Sequence, residues 1–210
     1  MFAILVAATL VVAVADWVAV ATDRRPAEYV LKPLAMVVLV AAAIVMSDPD
    51  PELARWLIVA GLVLSLGGDV FLMLEDHFVE GLASFLLAHV FYIAAFATMG
   101  LDAIAFVIGA AAVAVLVRLV GVRIVRCAAQ TDRAFGVPVA AYVTVISLMV
   151  AFAVGTTRWW AIVGAALFYL SDALIGWSRF VSDFPHQRIA IMTTYHLGQV
   201  GIVLSLLGAA

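Results

Sequence analysis

The sequence predicts an all-α, polytopic membrane protein: a bundle of eight transmembrane helices. Three observations predict it. Of 210 residues, 67% are hydrophobic and only 12% charged, against about 45–50% and 25% in a soluble domain. Mean hydropathy is +1.22. The apolar residues fall into runs of roughly 16–22, the length a helix needs to cross about 30 Å of hydrocarbon. Strand-like alternation with short turns is absent, which disfavours a β-barrel.

The spans are expected at about 2–20, 31–47, 54–75, 81–99, 102–119, 137–154, 159–178 and 189–208, forming one transmembrane domain over 1–210. The first run, MFAILVAATLVVAVADW, lacks a basic leading region and a convincing cleavage site, so it reads as a first span. Charge and turn residues punctuate the rest. They are Thr22 to Glu28, Ser47 to Glu52, Glu75 to Gly81, Gly100 to Asp102, Arg123 to Arg133, Gly155 to Arg158 and Ser182 to Arg188. The stretch 120–136 reads as a basic loop. The single Cys127 cannot form an internal disulfide, and its basic surroundings point to a reducing side.

An even number of spans puts both termini on one side. The opposite side carries Arg24, Arg25, Lys32, Arg118, Arg123, Arg126, Arg133, Arg179 and Arg188, against Arg55 and Arg158 on the terminal side. Positive charge marks the cytoplasmic face, so the expected orientation is N-out/C-out in a bacterial inner membrane. The net charge of -3 is too small to point to nucleic acid or any other charged partner.

Within the apolar runs two carboxylates stand out: Asp69 in Gly61-LVLSLGG-Asp69 and Asp172 in Gly164-AALFYLS-Asp172. Each follows a glycine at the same spacing, and each precedes a histidine, His89 or His196, in the next run. A carboxylate at membrane depth costs about 2.5–3.5 kcal/mol on insertion scales, so it usually has a partner or a task. Counting along the spans puts Asp69, Asp172, Lys32, His89, Tyr142 and His196 within about 12 Å of the cytoplasmic boundary. The aspartates are 103 positions apart, and Pro33 and Pro138 are 105 apart. This spacing suggests a parallel 4+4 repeat with the site between its halves.

Around that level, His89 and Tyr92 share a helix face, as do His196 and Gln199. Ser65 lies one turn before Asp69, and Ser171 adjoins Asp172. Gly67, Gly68, Gly164 and Gly176 permit close helix approach. Paired carboxyl groups suit acid–base work: one delivers a proton, while an ionised neighbour orients and activates water. That division fits hydrolysis of an acid-labile ether or acetal-like bond through an oxocarbenium ion. The sequence has no nucleophile-elbow serine, no HExxH and no Gly-rich phosphate loop. Other classes remain: a metal-dependent lipid amide or ester hydrolase using His89, His196 and one aspartate, a proton-coupled carrier, or a silent lipid sensor.

The segments Lys32-Pro33, Gly61-LVLSLGGD, Phe85-LLAHVFY, Gly164-AALFYLSDALIGWSRF and Tyr195-HLGQ, taken in order, resemble the YhhN/TMEM86 family of lysoplasmalogenases. The first span and residues 120–136 match no such block. The resemblance implies an eight-span membrane hydrolase without a cofactor. It would cleave the vinyl ether of lysoplasmalogens to a fatty aldehyde and a glycerophospho-base, with its catalytic aspartates at Asp69 and Asp172. On that basis one aspartate is expected to protonate the vinyl ether. The other guides water with His89 or His196, Lys32 holds the lipid phosphate, and Tyr92, Tyr142, Ser171 and Gln199 contact substrate. The expected partners are a lysophospholipid and the bilayer.

Overall fold

In a computed structural model, which describes residues 1–74 and 76–208, the chain is all-helical. Eight helices are long and apolar enough to cross a membrane: α1 Phe2–Ala21, α2 Arg25–Ile44, α3 Glu52–Met73, α4 Phe78–Thr98, α5 Ala103–Thr131, α6 Arg133–Gly155, α7 Trp159–Phe180 and α8 Gln187–Leu207. No strand occurs among the described residues. The protein is therefore an integral membrane protein, as the composition requires.

Local chemistry sets the helix ends. Pro26 opens α2, where its missing N–H costs nothing. Glu52 sits in the first turn of α3, favourable to the helix dipole. Asp102 caps α5 by accepting from Ala105 N at 2.7 Å. Asp132 does the same for α6 through Ala134 N at 2.9 Å. On the terminal side Arg158 is buried and donates to Asp50 O at 2.6 Å and Ser205 O at 3.2 Å. These bonds tie the α2–α3 connection to α7 and α8.

Two boundaries differ from the sequence expectation. Residues 120–136 are not a loop: α5 runs to Thr131, passing through a π-helical turn at Val117–Gly121, and only Asp132 separates it from α6. The reason is amphipathicity. Gly121, Ile124 and Ala128 face inward at helical spacing, while Arg123, Arg126 and Gln130 are exposed. The charges that resembled a loop are the outer face of a helix, and Cys127 lies on it. At 1.5 Å per residue α5 is about 43 Å long, so its charged end outruns a hydrocarbon core of about 30 Å. The second difference is that α2 begins at Arg25 and includes Tyr29, so Lys32 lies two turns inside. Of the turn residues between α3 and α4, Glu75 lies outside the described residues.

The bundle is built on antiparallel neighbours, with α3 against α4 and α7 against α8 in the most extensive contacts. On α7, Gly164 meets the α8 backbone directly; a Cβ there would lie 2.5 Å from Ile202 N and 2.7 Å from Gly201 C. This approach brings Phe168 and Ser171 of α7 against α8, and Ser171 Oγ donates to Ile191 O at 3.1 Å.

Gly164→Ala is accordingly expected to push α7 off α8 at an overpacking cost of about 1–3 kcal/mol. Thermal unfolding of the detergent-purified protein should show a lowered midpoint, and an unchanged midpoint would contradict the close-approach account.

Candidate functional site

Asp69 lies in the C-terminal third of α3 and is 1% exposed. Its carboxylate meets Lys32 Nζ of α2 at 2.9 Å and accepts from the Tyr195 hydroxyl of α8 at 2.5 Å. The ammonium of Lys32 also stands 5.7 Å from the centre of the Tyr195 ring. A buried charge of this kind is tolerable only with its opposite charge and additional hydrogen bonds in place. Gly68 leaves room beside it for the Phe85 ring, which a Cβ would meet at 2.6 Å.

Asp172, on α7, is differently served. Its Oδ2 accepts a short hydrogen bond from the Tyr142 hydroxyl of α6. The Nε2 of His89, on α4, stands 3.6 Å from the same oxygen, beyond hydrogen-bond length. No Lys or Arg lies within ion-pair distance among the described residues. His89 is fully buried, and its ring lies 4.7 Å from Phe168 and 5.4 Å from Tyr142.

The two aspartates line one cavity of about 890 Å³ together with Lys32 and Tyr195. It opens at the end of the bundle where α2, α4 and α8 begin and α3 and α7 finish, and its outer walls include Arg25, Arg179 and Arg188. Asp172 also borders a second, narrower pocket of about 70 Å³. Apart from Asp172 and the tyrosines Tyr142 and Tyr169, that pocket is walled by apolar residues such as Leu72, Ile124, Val143 and Ile146. Asp172 thus stands where a wide polar vestibule meets an apolar slot.

The other expected site residues divide into two groups. Tyr92 donates to Gln199 Oε1 at 2.8 Å and meets Ser65 Oγ at 3.3 Å, forming a buried polar string between α3, α4 and α8. Ser171 is occupied by the Ile191 carbonyl. His196 Nδ1 accepts from the indole N–H of Trp17 at 3.0 Å. Neither histidine, nor Tyr92 or Gln199, lines either cavity. His89, His196, Tyr92 and Gln199 form the layer behind the pocket, whereas Ser171 lines the vestibule and Tyr142 the apolar slot. Among the described residues no three His, Cys, Asp or Glu side chains converge as a ligand set.

Three residues went unread in the sequence. Tyr195, which adjoins His196 in the Tyr195-HLGQ segment, holds Asp69 through its hydroxyl. Asp16 and Trp17 sit in the last turns of α1. Asp16 is 0% exposed, with neither carboxylate oxygen hydrogen-bonded among the described residues. The signal for Asp16 was available: it is a carboxylate inside an apolar run, as Asp69 is.

The chain matches the YhhN family over residues 27–206. It is 34% identical over 153 residues to lysoplasmalogenase TMEM86B of Homo sapiens, covering 72% of this chain and 63% of that protein. To lysoplasmalogenase TMEM86A of Homo sapiens it is 33% identical over 160 residues, covering 70% and 64%. The lysoplasmalogenase of Mycobacterium bovis is 34% identical over 172 residues, covering 79% and 65%. The chain thus spans a little less than two thirds of the length of these relatives. No solved structure matches it.

The Lys32–Asp69 pair gives a direct test of the geometry. Lys32→Met strands a buried carboxylate and is expected to cost about 3–5 kcal/mol. The double change Lys32→Met with Asp69→Asn should recover much of that loss in a double-mutant cycle of thermal unfolding. Simple additivity would mean that the two do not act as a pair.

Proposed function

The chain belongs to the YhhN family, and on that premise we propose that it is a membrane hydrolase that cleaves the vinyl ether of lysoplasmalogens to a fatty aldehyde and a glycerophospho-base. The observation that carries this reading is the unequal provision of two carboxyl groups in one cavity. Asp69 has a cation at 2.9 Å and a phenol donor, the setting of an ionised carboxylate. Asp172 has only the neutral hydroxyl of Tyr142 and the imidazole of His89 beside it, at the edge of an apolar slot. Two carboxyl groups whose surroundings differ in this way divide into an acid and a base.

Asp172 is the proton donor in this reading. Tyr142 occupies Oδ2, and Oδ1 is left to carry the transferable proton. The proton goes to the double-bond carbon remote from the ether oxygen, and the remaining carbon and that oxygen share the positive charge as an oxocarbenium ion. Ionised Asp69 stabilises this cation and takes a proton from the incoming water as its oxygen bonds to the cationic carbon. The hemiacetal then collapses. Its bond from carbon to the glycerol oxygen breaks, the glycerol oxygen gains a proton, and an aldehyde remains. One water is consumed, and return of the proton from Asp69 to Asp172 restores the site.

Tyr195 and Lys32 position Asp69, and Tyr142 positions Asp172. His89 keeps the far side of Asp172 buried among aromatic rings. The alkenyl chain passes Asp172 into the apolar slot, and the polar head stays in the vestibule. The excess of arginine and lysine at that end supports a mouth on the cytoplasmic leaflet, with both ends of the eight-helix unit on the other side.

Purified protein incubated with a panel of lysolipids should release aldehyde from vinyl ether lipids. Release of fatty acid without aldehyde would replace this reading with an esterase. Asp69→Asn and Asp172→Asn are each expected to lower aldehyde release by about a hundredfold or more, and Tyr142→Phe by roughly tenfold. Turnover close to wild type in either Asn variant overturns the mechanism.

A further inference from the structure

Four basic side chains line the vestibule, and three have a carboxylate within 4 Å. Lys32 is bound to Asp69 at 2.9 Å. Arg188 bridges Asp23 at 2.8 Å and Glu28 at 2.5 Å. Arg25 faces Asp23 at 3.9 Å. Arg179 differs: among the described residues no carboxylate lies within ion-pair distance of it, and its guanidinium stacks over Phe78 at 4.7 Å from the ring centre. It is exposed and lines the cavity that holds both aspartates.

Its place on α7 is informative. Arg179 follows Asp172 by seven positions on one uninterrupted helix. That is within about 20° of two full turns, so the two share a face, about 10 Å apart along the axis. Ile175, between them, faces the same cavity. Side chains on a helix lean toward its N-terminus, so Arg179 leans back toward Asp172. In a lysophospholipid one glycerol unit separates the ether oxygen from the phosphate, and an arginine two turns away reaches across that gap. The flat guanidinium, seated over Phe78, presents paired N–H donors of the geometry that binds two phosphate oxygens at once.

We propose that Arg179 is the phosphate anchor of a headgroup subsite, holding the phosphodiester of a lysophospholipid while its chain passes Asp172 into the apolar slot. The proposal rests on the hydrolase reading for the chemistry at Asp172, but the phosphate contact is independent of which bond is cleaved. Lys32, committed to Asp69, is then free of the phosphate-binding task. The subsite makes the enzyme discriminate phosphorylated glycerol ethers from bare ones.

The test measures binding of two ligands with no cleavable bond to the detergent-purified protein. One is a saturated monoalkyl ether of glycerophosphoethanolamine; the other is the matching alkylglycerol without phosphate. Wild type should bind the phosphorylated ligand more tightly. Arg179→Gln should weaken that ligand by roughly tenfold or more and leave the alkylglycerol unchanged. Arg179→Lys, which keeps a point charge but not the fork, should fall between. If Arg179→Gln binds both ligands like wild type, or loses both equally, the anchor is overturned. A wild type that keeps the Arg179-dependent preference yet releases no aldehyde from vinyl ether lysolipids would overturn the hydrolase reading and leave the subsite standing.

Discussion

A carboxylate that enters a membrane bundle must be met there by other helices, and the arrangement around Asp69 and Asp172 follows from that requirement. Hydrocarbon offers no hydrogen bonds, so a carboxylate at that depth depends on partners from neighbouring helices. Asp69 on α3 draws Lys32 from α2 and Tyr195 from α8. Asp172 on α7 has Tyr142 from α6 and His89 from α4 beside it. Six of the eight helices are thus tied to two side chains. The pattern crosses the molecule: each aspartate is served by the helix before it and by the last helix of the other half. A parallel 4+4 repeat would place partners in this way.

The close helix pairs make these meetings possible. Gly164 against Gly201 and Ile202 lets α7 and α8 touch at the backbone, and Gly68 admits the Phe85 ring beside Asp69. The aromatic rings of Phe85, Phe168 and Tyr195 then meet edge to face, with centres 5.4 to 6.1 Å apart. They form a wall that separates the vestibule from the buried string of Ser65, Tyr92 and Gln199. The site is therefore a polar chamber set into an apolar frame, and its two acids differ because one was given a cation and the other was not.

The sequence made a good part of this legible. Eight spans, the pair of aspartates and their common level near one end all follow from residue spacing, since helix rise is fixed and apolar length is set by the bilayer. Failures came where side-chain character and helix character disagree. The basic segment after Arg118 looks like a loop in one dimension because charge is a loop signal, yet the same charges fall on one face of α5. Tyr195 looks like packing because a tyrosine in an apolar helix usually is. Asp16 sits near the end of a span, where a charge is common, although it stands inside an apolar run as Asp69 does, and its burial sets it apart.

What the sequence by itself determined is the class of protein and the chemistry available. Composition and run length specify an integral helical bundle, and two intramembrane carboxylates mark where polar chemistry is available, because those properties are carried by residue type and helical periodicity alone. Tertiary structure decided the pairing. Whether Lys32 served Asp69, Asp172 or a lipid could not be read from spacing, since a long side chain reaches several neighbours and its choice depends on which helices touch. That choice, set by backbone contact at glycine and by aromatic packing, separated an ion-paired Asp69 from an Asp172 with neutral partners. It also left Arg179 as the vestibule's one basic side chain without an ion-pair partner among the described residues.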